Sequence, residues 1–295
     1  MRRLLVLLIP VVLLAGACGG DDDPGTDDDA GSASSESVAE LPAAIAEAGE
    51  LRVGSDIAYA PVEFFEEGTQ NAQGLDVDLC NALAEKLALS KGCSFQNTTF
   101  DGIIPALTAN RFDIIMSALS DTKERQETID FVDYFNVGTS ILVAKGNPEG
   151  IKGLDDLCGR KVGLQAGTTQ EEVAKEQATK CEADGKGKLE VLTFETDTDA
   201  QQQLKAGRTV ADMNDFPVAA YVAQTSGDGK DFEVVGEQID AGPYGIGVRK
   251  QDTQLRDALK VALEAIIADG TYAEILEKWN VAQGAIGSVT VNGGS

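Results

Sequence analysis

Arg125 stands within FDIIMSALSDTKERQETIDFVDYF, the stretch from Phe112 to Phe135, whose residue types suit the capture of an anion. An apolar run of aromatic and β-branched type, Phe112 to Met116, delivers the hydroxyls of Ser117 and Ser120 to a helix opening at Asp121 or Thr122. Unpaired N–H groups at a helix start attract negative charge. A guanidinium can grip a carboxylate through two parallel hydrogen bonds. On this stretch alone, the favoured reading is that Arg125 only pairs with Glu124 or Glu127 on a solvated face. A second pattern, Gly167-Thr168-Thr169-Gln170-Glu171, sets hydroxyls ahead of acids and reads as a capped helix start presenting N–H groups to a carboxylate. It is no phosphate loop, because the chain has no GxxxxGK[ST] pattern.

Composition narrows the chemistry further. The 295 residues carry 24 basic against 49 acidic side chains, a formal charge of −25, and no histidine. Such a charge argues against nucleic acid and against anionic lipid as a partner of the folded surface. Without histidine there is no Ser-His-Asp triad, imidazole general base or imidazole metal site. No metal or cofactor is expected.

These residues must be held by alternating elements. Leu41 to Gly49 reads as a short helix, Leu51 to Asp56 as a strand, and Gly74 to Leu89 as a helix with Leu75, Leu79, Leu83 and Leu87 on one buried face. Cys93 to Thr98 and Phe112 to Met116 read as further strands, with a helix from Phe100 between them. A second alternating unit runs from Phe135 to Gln224, and a return near Asp240 leads through Gly245–Val248 to helices at Gln254–Asp269 and Tyr272–Trp279. Alternation predicts α/β architecture with mainly parallel sheets, whose ligands sit beyond the carboxyl ends of the strands.

The segments RVGSDIAYAPVEF, GLDVDLCNALAEKL, FDGIIPAL, GRKVGLQAGTTQEEVAK, VADMNDFPVAAY, PYGIGVRK and LRDALKVALEAIIADGTYAEILEKWNV fall in the order and spacing of a known family. From Leu51 to Val281 the chain resembles bacterial solute-binding proteins of the polar amino-acid ABC transporters. The resemblance implies a two-lobed, type II periplasmic-binding-protein-like fold with a two-strand hinge near Phe135–Thr139 and Asp240–Tyr244. Lobe 1 would comprise 41–137 and 242–283, lobe 2 would comprise 138–241, and 284–295 would form a loose tail.

The resemblance also implies roles. Arg125 would grip an α-carboxylate, aided by the backbone N–H groups of Ser120 and Thr169, with Ser117 and Thr168 beside them. Asp215 would take the α-ammonium, with acceptors near Ala118. Tyr59 and Phe100 would clasp the aliphatic stem, Asp56 would meet the side-chain end, and Gln165 would line the other lip. Val62 stands where the family often has an aromatic residue, and Ala118 where it often has one able to hydrogen-bond. A neutral polar or basic amino acid ranks above an acidic one, with an ABC permease as the receiving partner and a monomer expected. Two alternatives stay open: a cyclohexadienyl dehydratase-like enzyme on the same fold, and a sensory protein reporting ligand to a separate receptor.

The beginning of the chain reads as an export address. Arg2 and Arg3, an apolar run from Leu4 to Leu14 broken by Pro10, and Ala15-Gly16-Ala17-Cys18 form a signal peptide over 1–17. Cys18 lies in a lipoprotein-type box and would carry the lipid anchor, with Ala15 in the place usually held by leucine. Residues 19–40, with eight acids and no base, read as an acidic tether. The remaining cysteines, Cys80, Cys93, Cys158 and Cys181, point to two disulfides in an exported chain. Three pairings are possible; proximity in sequence and the lobe division favour Cys80–Cys93 with Cys158–Cys181.

Overall fold

A computed structural model describes residues 40–295. The expected signal peptide, Cys18 and all but the last residue of the expected tether lie outside that range. The described residues form one compact unit.

In chain order the strands are β1 (Glu50–Ser55), β2 (Ala58–Tyr59), β3 (Glu63–Phe65), β4 (Ala72–Gln73), β5 (Gly92–Asn97), β6 (Ile114–Ile115), β7 (Ile129–Ala144), β8 (Lys161–Gln165), β9 (Glu190–Phe194), β10 (Ala211–Asp215) and β11 (Phe232–Arg249). The helices are α1 (Ala43–Ala48), α2 (Leu75–Lys86), α3 (Ile103–Thr108), α4 (Lys123–Gln126), α5 (Thr169–Ala183), α6 (Asp197–Lys205), α7 (Phe216–Thr225), α8 (Thr253–Ala268) and α9 (Thr271–Lys278). No helix among the described residues is long and apolar enough to cross a membrane.

One sheet runs through both lobes in the order β5-β1-β6-β11-β7-β10-β8-β9. In lobe 1, β5, β1 and β6 are parallel, and in lobe 2, β10, β8 and β9 are parallel. Two long strands make the join: β7 has 16 residues, β11 has 18, and they pair antiparallel. Their register slips between Val235 and Ile239 and again between Ile239 and Gly242, within the stretch where the chain passes from lobe to lobe. A regular ladder would stiffen this crossing; the slips leave it fewer ladder bonds and a place to bend. The expected strand from Phe135 is thus the second half of a longer one that begins at Ile129.

Hydrophobic periodicity explains the packing. Leu75, Leu79, Leu83 and Leu87 all face the core, together with Leu51 and Val53 of β1 and Leu255, Leu259 and Leu263 of α8. Lobe 2 has its own cluster, in which Val162 and Leu164 of β8 meet Ile141, Val143, Leu189 and Met213. Disulfides join Cys80 to Cys93 and Cys158 to Cys181, tying α2 to β5 and α5 to the turn before β8.

The tail departs from expectation. Residues after Gln283 are not loose: Val291 forms an antiparallel bridge with Val132, and Val289 is buried. Small polar residues looked unable to pack, but their backbone N–H groups find buried carboxylates on lobe 1.

Candidate functional site

Between the lobes lies a cavity lined by Asp56, Tyr59, Phe100, Ser117, Ala118, Ser120, Arg125, Gln165, Thr168, Thr169 and Asp215, with Glu63 and Gln170. All eleven residues singled out in the sequence therefore meet at one place. The empty space is about 300 Å3, counting its open mouth.

The wall from lobe 1 comes from strand ends and one short helix. Asp56 follows β1, and its N–H donates to Ser117 Oγ at 2.9 Å. Ser117 Oγ in turn donates to Glu63 Oε1 at 3.2 Å. Ala118 takes φ +45°, a backbone region costly for alanine, and Asp76 Oδ2 accepts its N–H at 3.1 Å. Arg125 rides on α4, whose N-cap Thr122 accepts the Arg125 N–H at 3.3 Å. Its guanidinium donates to Ser120 O at 2.8 Å and lies 5.5 Å from the Phe100 ring centre. Phe100 thus stacks on Arg125.

Lobe 2 supplies the opposite wall. Thr168 caps α5, with its Oγ1 accepting the Glu171 N–H at 3.3 Å and donating to Gln165 O at 2.8 Å. Asp215 ends β10; Tyr59 Oη donates to its Oδ2 at 3.0 Å, and Gln170 Nε2 donates to its Oδ1 at 2.9 Å. Val62, expected at a family aromatic position, is fully buried and is not among the lining residues.

The lobes touch across the cavity. Arg125 Nη2 donates to Gly167 O at 3.0 Å, Gln165 Nε2 donates to Asp56 Oδ2, and the Asp215 N–H donates to Tyr59 Oη at 2.9 Å. Gly167 has φ +78°, and a Cβ there would stand 3.0 Å from Asp101 Cα, so glycine permits this closeness. Such bonds mark a closed arrangement.

Burial dominates the electrostatics. It pushes Asp56 and Asp215 up to about 6, although Gln165 lowers the first and Tyr59 and Gln170 lower the second. Glu63 is pushed well above the carboxylate range by burial, with the charges of Asp76 and Asp56 adding to it. Burial lowers Arg125, which the charges of Glu172 and Asp215 oppose. Three carboxyls thus face one guanidinium.

Two lining residues escaped the sequence reading. Glu63 sits on β3, a three-residue strand in a separate small sheet with β2 and β4, and its buried carboxyl bonds to Asp76. Gln170 lies one place beyond the capping threonines, where its type gave no hint of reaching Asp215. Neither carries a spacing signal; for Glu63, an acid inside the apolar run Pro61–Phe65 was the only clue.

Two lobes joined by two crossing strands, with a charged cavity shared between them, define a two-lobed ligand-binding protein of the periplasmic-binding-protein class. The chain belongs to the bacterial extracellular solute-binding proteins, family 3, whose profile matches residues 51–282. It is 33% identical over 238 residues to the histidine-binding periplasmic protein of Escherichia coli (strain K12), covering 78% of this chain and 86% of that one. Its structure is similar to an ancestral arginine-binding protein bound to glutamine: TM-score 0.71, 40% identity, 79% of this chain and 98% of that one. A further neighbour is the ancestral amino acid-binding protein AncCDT-1, a precursor of cyclohexadienyl dehydratase: TM-score 0.71, 38% identity, 80% of this chain and 97% of that one.

Proposed function

We propose that this protein captures a basic L-amino acid between its lobes and hands it to an ABC permease on the outer face of the cell membrane. The observation that carries the reading is that Arg125 and Asp215 line one cavity built from both lobes. An α-amino acid presents a carboxylate and an ammonium on one carbon, and these two groups answer both. The carboxylate enters between Arg125 and the start of α5, taking over the bond that Arg125 now makes to Gly167. The ammonium meets Asp215, and the stem lies beside Tyr59 and Phe100.

What remains for the side chain is acidic. Asp56 and Glu63 are linked through Ser117, and no cation among the lining residues stands beside them except Arg125. A cationic head lets both ionise and offsets their burial, whereas a second carboxylate would face repulsion. Relatives that bind histidine and arginine support this choice. Lipid attachment at Cys18 would keep the capture domain near the permease.

The likeness to a dehydratase precursor favours testing a second reading, turnover of prephenate or arogenate. No turnover is expected. The deciding experiment is a thermal-shift screen of the amino acids, followed by calorimetry. Ligand at one hundred times its dissociation constant stabilises the fold by about 2.7 kcal/mol. Arginine, lysine or histidine should raise the melting temperature and glutamate should not; no response to any amino acid overturns the proposal.

A further inference from the structure

The family match stops at residue 282, yet the chain beyond it returns to the site. Arg125 rides on α4, a helix of four residues. A single turn fixes several dihedral angles for one hydrogen bond, so it does not hold itself. What holds it from below is Asp121, buried to 3% exposure. Gln126, the last residue of α4, donates its amide to Asp121 Oδ1 at 2.7 Å. The other carboxylate oxygen, Oδ2, accepts the Gly294 N–H at 2.8 Å, and Gly294 O accepts from the same Gln126 amide at 3.3 Å.

The tail reaches Asp121 because β7 anchors it first. Asp133 N–H donates to Thr290 O at 3.0 Å, Asn292 N–H donates to Phe131 O at 3.2 Å, and Phe131 N–H donates to Asn292 Oδ1 at 2.8 Å. Thr290 Oγ1 and the Gly293 N–H both donate to Asp133 Oδ2, at 2.6 and 3.0 Å. The two glycines are a steric requirement. A Cβ on Gly294 would stand 1.9 Å from Asp121 O, and one on Gly293 2.7 Å from Asp133 Oδ2. Composition alone made this Gly-Gly pair read as slack chain.

We propose that Thr290–Gly294 is a strap that positions the anion grip: by clamping Asp121 and Gln126 it holds α4, and so Arg125, facing the cavity. The strap touches no ligand position itself. This rests on the binding function above, and the test is built so that the two can fail separately.

Three proteins are compared: the intact chain, a chain ending at Val289, and Gly294→Val, which crowds Asp121 while keeping Thr290–Asn292 on β7. Affinity for L-arginine and L-histidine is read by calorimetry, and backbone hydrogen exchange is read across the chain without ligand. Both variants should lose at least about tenfold in affinity, equivalent to ~1.4 kcal/mol. Exchange should quicken at Thr122–Gln126 while α5 stays as protected as before. A synthetic peptide of residues 286–295 should restore affinity to the shortened chain. Unchanged affinity in both variants overturns the strap, as does a loss that merely follows uniform exchange across lobe 1. If the intact chain binds no amino acid, the proposed function falls, and exchange at Thr122–Gln126 still decides the strap: no change there overturns it.

Discussion

Arg125 and Glu63 illustrate opposite uses of a buried charge. Arg125 offers a planar fork already aimed by Ser120 and Phe100. A lysine would keep the charge but lose the paired geometry. Arg125→Lys is therefore expected to weaken arginine binding ten- to a hundredfold, since hydrogen bonds to charged groups contribute roughly 1.5–3 kcal/mol; calorimetry checks it. Glu63 is a buried acid held well above the carboxylate range, bonded to Ser117 and to the Asp76 carboxyl. Glu63→Gln preserves shape and removes only the capacity to ionise. It should cost roughly tenfold in arginine affinity, as expected for one lost charge-assisted bond, and leave glutamine binding nearly unchanged. Equal losses for both ligands would assign Glu63 to the scaffold.

At the level of elements, the two disulfides clip helices that line or back the cavity. Cys158–Cys181 spans 23 residues and fixes the far end of α5, whose first turn faces Arg125. Replacing both cysteines by serine should destabilise the protein by about 3 kcal/mol, through the wider freedom of the unfolded chain. Chemical unfolding measures this directly. Ligand affinity should change far less, because Thr168 still caps the helix start.

For the whole molecule, buried carboxyls couple stability to pH. Asp56, Asp76, Asp133 and Asp215 are pushed up to about 6, and Asp197 to about 7, in each case chiefly by burial. A carboxyl whose folded value exceeds its unfolded one, near about 4, holds its proton longer in the fold. Its contribution is complete below about 4 and is lost as pH rises through about 6 to 7. The ligand-free protein should therefore melt at a higher temperature at pH 5 than at pH 7.5. A cationic ligand favours the ionised forms of Asp56 and Asp215, so its affinity should rise over the same interval, with protons released on binding. Calorimetry in buffers of different ionisation enthalpy detects that release. Closure follows the same logic: a ligand touching both lobes favours the closed arrangement, and scattering should show compaction on adding arginine.

Sequence by itself determined the alternation of strands and helices, the leucine face of α2 and the helix starts near Thr122 and Thr168, while its resemblance to a known family supplied the eleven residues that meet in one cavity. Those are local facts: periodicity, capping chemistry and motif order are written in neighbouring residues. Tertiary structure alone decided which distant groups share space. It placed Glu63 and Gln170 in the cavity, merged two expected sheets along β7 and β11, and turned a small polar tail into a strap on Asp121. Each of these depends on contacts between residues far apart in the chain, such as Gly294 with Asp121, where a missing side chain matters only because of what lies against it.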